Sequence, residues 1–137
     1  MPKGLSVNDI TIGMKARTSH LITDEKIRAF AAISEDYNPL HIDEEYAKSS
    51  EFGKRIAHGA MVASFFSALF ATKLPGPGAI YVSQSTRFRK PVFIDDTVSI
   101  EIEVTDIDVI RKRVYFATTC FVEENEVLSG KAEIYIP

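Results

Sequence analysis

Sixteen consecutive residues near the middle of the chain, Gly59 to Leu74 (GAMVASFFSALFATKL), are apolar nearly all the way round a helix. A helix hydrophobic on every face belongs in lipid or at the centre of a protein. The stretch falls short of the ~20 residues that span a bilayer and carries Ser64, Ser67 and Thr72, so a helix wrapped by other elements is expected. Pro75-Gly76-Pro77-Gly78 then breaks it sharply.

The rest of the chain supplies the wrapping. Strand-like runs cover Ala79–Phe88, Thr97–Asp106, Arg113–Glu123 and Glu126–Ile136, with a further short strand between Met14 and Leu21. Val98, Ile100, Ile102 and Val104 alternate with Ser99, Glu101, Glu103 and Thr105, so one face of that strand is apolar. Leu128, Gly130, Ala132, Ile134 and Ile136 share a face in the last run, and Glu123-Glu124-Asn125 makes a short turn before it. Such turns join antiparallel neighbours. Upstream, Thr23-Asp24-Glu25 opens a helix over 24–35 with Ile27, Phe30 and Ala31 on one face, and Pro39 ends it near Asp36. Asp43-Glu44-Glu45 caps a further short turn. These elements pack in few ways. The pattern predicts one α+β domain over residues 1–137, a curved antiparallel sheet wrapped around a long apolar central helix, the "hot-dog" architecture.

Composition closes several doors. In 137 residues, 16 Lys+Arg against 19 Asp+Glu give a net charge of -3, the wrong sign for a nucleic-acid partner. One cysteine, Cys120, excludes an internal disulfide; alternating with Thr118 and Val122 in a strand, it reads as a packed thiol. Met1 to Asp9 lacks the apolar run and cleavage site of a secretory signal, so a cytoplasmic protein without a membrane partner is the expectation.

Chemistry concentrates in two places. In Ser34-Glu35-Asp36-Tyr37-Asn38-Pro39-Leu40-His41, a proline-stiffened turn can aim a carboxylate and an imidazole at one water. The same spacing equally suits Asp36 capping its own turn through Asn38 while His41 pairs with Asp43 on the surface. A metal held by His41 and Asp43 lacks a second nearby His, Cys or carboxylate cluster, so no metal is expected. The second place is Ala57-His58-Gly59-Ala60, where the helix start offers free N–H groups and Gly59 lets a ligand atom approach them. The plainer reading is a glycine that merely starts the helix where the chain is crowded, with His58 a partly buried capping neighbour. His20 reads as a surface residue. Ser67 has no G-x-S-x-G elbow and no base beside it, which excludes a serine hydrolase. Arg87, Arg89 and Lys90 form a basic cluster that is either a solvated face or a phosphate receiver.

Taken together, SEDYNPLHID, the IAHG opening of an apolar helix containing Ser67, and LPGPGAIYVSQSTRFRKPVF closely resemble the MaoC-like (R)-specific enoyl-CoA hydratases of the hot-dog fold. The resemblance spans essentially the whole chain and is most specific in D-x-N-P-x-H followed by H-G. It implies reversible syn addition of water to a trans-2-enoyl-CoA, giving an (R)-3-hydroxyacyl-CoA. Asp36 and His41 would then be the catalytic pair, Gly59 the backbone donor to the thioester carbonyl, and Asn38 and Ser67 supporting residues. Arg87, Arg89 and Lys90 would meet the CoA phosphates. A homodimer is also implied, with no cofactor beyond the CoA of the substrate. Phe65, Phe66 and Phe70 favour a short acyl chain such as that of crotonyl-CoA. Three alternatives share the architecture: an acyl-carrier-protein dehydratase, an acyl-CoA thioesterase, and a non-catalytic acyl-CoA-binding module. The central helix holds no Asp or Glu, which argues against a thioesterase.

Overall fold

A computed structural model describes residues 3–137; Met1 and Pro2, at the head of the segment read as lacking a secretory signal, lie outside the described residues. After a single 3-10 turn at Val7–Asp9 come β1 (Lys15–Leu21), α1 (Asp24–Ser34), α2 (Pro39–Ile42) and α3 (Glu44–Lys48). They are followed by α4 (Gly59–Thr72), β2 (Ile80–Phe88), β3 (Thr97–Asp108), β4 (Arg113–Val122) and β5 (Asn125–Tyr135). The strands form one antiparallel sheet in the order β1-β3-β4-β5-β2, and α4 packs across it against β1, β2 and β3.

The period of two read in the sequence decides which face meets α4. Val98, Ile100, Ile102 and Val104 of β3 are buried, as are Val114, Phe116, Thr118 and Cys120 of β4. Register places Ile100 opposite Cys120, and Cys120 opposite Leu128. Burial pushes the Cys120 thiol up to about 12, so it is a packing group and not a nucleophile. Gly130 shows why β5 carries a glycine there: a Cβ would sit 2.0 Å from the Ser85 carbonyl oxygen on β2.

Two expectations need correction. The central helix is not covered on every side: Met61, Val62, Phe66, Leu69 and Phe70 are buried, but Ala60, Ser64, Ser67, Ala68 and Ala71 form an exposed stripe. Small residues score as apolar without demanding burial, which is why the pattern overstated the wrapping. The first helix runs to Ser34 with Glu35 as its left-handed C-cap (φ 64°), within one residue of the expected end. His20 is half-buried rather than a surface residue, its ring stacked 4.1 Å from that of Phe65, and burial lowers its pKa. Among the described residues no helix is long and apolar enough to cross a membrane.

Candidate active site

The Asp36-to-His41 turn is fixed by a chain of local hydrogen bonds. Asp36 Oδ1 accepts the Asn38 N–H at 3.1 Å, and Asn38 Oδ1 accepts the Leu40 N–H at 3.1 Å, capping α2. Pro39 occupies the first turn of α2, where its missing N–H costs nothing. His41 is thereby carried on a rigid helical turn rather than a loop. The capping role of Asp36 is real, but the surface pairing of His41 with Asp43 is not formed. Asp43 Oδ1 instead accepts the Tyr46 N–H at 3.1 Å, and His41 Nδ1 lies 2.7 Å from the Ile56 carbonyl oxygen. A carbonyl only accepts, so Nδ1 carries the proton and Nε2 is left as the working atom.

Burial is the largest influence on His41 and lowers its pKa. His58 and Arg55 push the same way, while the Ile56 bond and the Asp36 carboxylate oppose them. His41 therefore stays neutral, with a bare Nε2 able to accept a hydrogen bond.

Arg55, which the sequence reading passed over, and His58, which it read only as a partly buried neighbour, hold this arrangement. Arg55, 4% exposed, donates from Nε to the His41 carbonyl oxygen at 2.6 Å and lies 2.7 Å from Asp24 Oδ1 on α1. Its hydrogen bond keeps the Asp24 carboxyl below the usual range. His58 is buried, its ring 4.0 Å from that of His41. Asp36, His41 and His58 each bring one ligand-capable atom within 4.8 Å of the other two. The expectation that no second histidine stands near His41 is thus overturned: residues 17 apart meet because Arg55–Ala57 run back beside α2, as the Ile56 N–H to Leu40 oxygen bond at 3.2 Å records. One ligand-capable atom of Asp36 and one of His41 lie within 4.8 Å of each other, a gap that one water hydrogen-bonded to both at ~2.8 Å can span.

Gly59 begins α4 beside this pair, and His58 at the N-cap makes no side-chain capping bond. The first N–H groups of a 14-residue helix are therefore not occupied by a cap, and they carry its partial positive charge. A cavity of 440 Å³ opens there, lined by His41, Ile56, Gly59, Phe88, Arg89 and Lys90 among others. Arg89 and Lys90 thus stand in the cavity that holds the imidazole and the helix tip. Arg87 does not line it, because on β2 it alternates away from Phe88. Ser67 is also apart: it lies on the exposed face of α4 in a second cavity of 720 Å³, with Ser64, Tyr81 and Gln84. His41 is buried and lines the cavity, while Asp36 is exposed and is not among its lining residues.

This geometry has counterparts. Residues 7–126 match the model of the MaoC like domain. The chain is 45% identical to an (R)-specific enoyl-CoA hydratase of Rhodospirillum rubrum over 94% of its length and 90% of the relative's. It is 40% identical to a 3-hydroxybutyryl-CoA dehydratase of Methylorubrum extorquens, covering 97% of this chain and 85% of that one. The solved (R)-hydratase from Aeromonas caviae involved in PHA biosynthesis superposes with a TM-score of 0.91 at 39% identity, over 93% of this chain and 98% of that one. An antiparallel sheet packed on a central helix, a carboxylate–imidazole pair at that helix's tip and the family match over residues 7–126 together make this chain a member of the MaoC-like family of hot-dog proteins.

Proposed function

We propose that this chain is a hydro-lyase, an (R)-specific enoyl-CoA hydratase that reversibly adds water to a short trans-2-enoyl-CoA. The observation that carries the reading is the convergence of Asp36 and His41, with His41 and Gly59 lining one cavity. Water held there donates one hydrogen to the Asp36 carboxylate and the other to His41 Nε2, which turns an oxygen lone pair toward the substrate. Attack on the β-carbon moves the double-bond electrons onto the thioester oxygen, and the Gly59 N–H at the helix tip stabilises that enolate. Asp36 takes the proton from the attacking water and returns it to the α-carbon; OH and H arrive from one face, so addition is syn. Arg89 and Lys90 meet the phosphates of CoA, and no cofactor beyond the CoA moiety takes part.

A homodimer belongs to the same reading. β2 lies at the sheet edge with Ile80, Val82 and Phe88 exposed, and the small-residue stripe of α4 lies open beside it. Pairing with a second copy along β2 would cover the edge.

Incubation with crotonyl-CoA is the test. Loss of enoyl thioester absorbance with the CoA ester intact is the expected result. Release of free CoA would replace the reading with a thioesterase, and binding without turnover would replace it with a sensing module. The pH profile follows from His41. Neutral imidazole is required and its pKa is depressed, so kcat/KM should fall on acidification only below the ordinary 6.5. An acid limb centred above 7 would contradict the assignment of Nε2 as an acceptor.

A further inference from the structure

We infer that His58 is a positioning residue of this site, holding the Asp36 backbone against the tip of the central helix so that the carboxylate and His41 share one water. The inference rests on the hydratase reading above. His58 is 2% exposed, a position where an apolar side chain of similar size would pack without burying polar atoms. Its ring is fixed from both sides: Phe30 of α1 lies 4.9 Å away and His41 of α2 lies 4.0 Å away. Nε2 stands 3.0 Å from the Asp36 carbonyl oxygen, across 22 residues of sequence. Because that oxygen only accepts, Nε2 carries the hydrogen of this bond; Nδ1 is buried and has no hydrogen-bond partner. A polar ring has been buried with one nitrogen unpaired, and its one hydrogen bond goes to the residue that bears the reacting carboxylate.

The position of His58 in the chain gives that bond its purpose. It is the N-cap of α4, one residue before Gly59, so the bond ties the carboxylate's own peptide to the residue adjoining the N–H that receives the thioester. Without it, Asp36 is anchored only by its turn: Ser34 Oγ on its N–H at 3.2 Å and its own bond to Asn38. Both span two residues, and neither refers the turn to the helix tip. A displacement of ~1 Å between reacting groups is enough to lower turnover ~10²-fold.

The test compares His58→Gln, whose amide can place a donor near Nε2, with His58→Leu, which cannot, each alone and combined with Asp36→Asn. Turnover of crotonyl-CoA by the native enzyme is the reference, and its absence would remove the hydratase reading itself. With native turnover present, His58→Leu should lower kcat ~10²-fold with little change in KM, and His58→Gln should recover most of it. On the Asp36→Asn background, His58→Leu should cost little more, since the group it positions is already gone. Equal losses in Gln and Leu, or a full additional loss on the Asp36→Asn background, would overturn the inference. A second measurement stands apart from any variant: nitrogen-15 spectra of the native histidines should show His58 protonated on Nε2. A proton on Nδ1 instead would overturn it as well.

Discussion

Asp36→Asn should lower the turnover of crotonyl-CoA by roughly 10²–10⁴-fold, the scale of general acid–base catalysis, and His41→Gln should fall in the same range. Asparagine keeps the size of the side chain and an oxygen able to cap the turn at Asn38, so the loss reports the charge and not the fold. The amide also turns a donor toward the water, which removes the acceptor that takes its proton. Glutamine at 41 presents an amide where Nε2 stood and loses the Nδ1 bond to Ile56. Because the two residues act on one water, their effects should not add: the double variant should be close to the worse single one. Steady-state kinetics with thermal unfolding as a control checks this. Full activity in Asp36→Asn would remove the carboxylate from the mechanism.

Phe66→Ala should be the most damaging change to the fold. Phe66 is 1% exposed on the buried face of α4, among the residues that meet the sheet. Truncation loses its transfer free energy and leaves a cavity that a sheet held by ladders on both sides of β3, β4 and β5 cannot easily close. Large aromatic-to-alanine changes in cores cost about 3–5 kcal/mol. That is a large fraction of the roughly 5–15 kcal/mol that holds a domain folded. Urea unfolding should show the midpoint lowered with the slope retained. A change below ~1 kcal/mol would mean that α4 is not the centre of the core.

Local rules wrote most of the fold into the chain. The alternation in β3 survives folding because each side chain there faces either α4 or the outside, and nothing tertiary competes with that choice. The cap at Thr23, whose Oγ1 accepts the Lys26 N–H at 3.1 Å, was legible for the same reason, and the break read at Pro75-Gly76-Pro77-Gly78 put the end of the central helix within two residues of Thr72. The site was legible in part. Asp36, Asn38 and His41 lie on one turn, so their spacing already limited their geometry. Arg55 and His58 reach them across 14 and 22 residues, and no local pattern encodes that meeting. The one signal available was their clustering, with Ile56 and Gly59, in a single short run before the helix. Ser67 and Arg87 fall outside the cavity that holds His41 and Gly59. Each sits near the site in sequence terms, but helix phase sends Ser67 to the second cavity and strand alternation leaves Arg87 outside the first.

Hydration of crotonyl-CoA in deuterium oxide tests the central claim most directly, because one bridged water on one face of the substrate dictates the stereochemistry. The product should be (R)-3-hydroxybutyryl-CoA with a single deuterium at the α-carbon, placed syn to the new hydroxyl. An anti arrangement, or (S)-configuration at the β-carbon, would contradict an Asp36–His41 pair acting through one water beside the Gly59 amide.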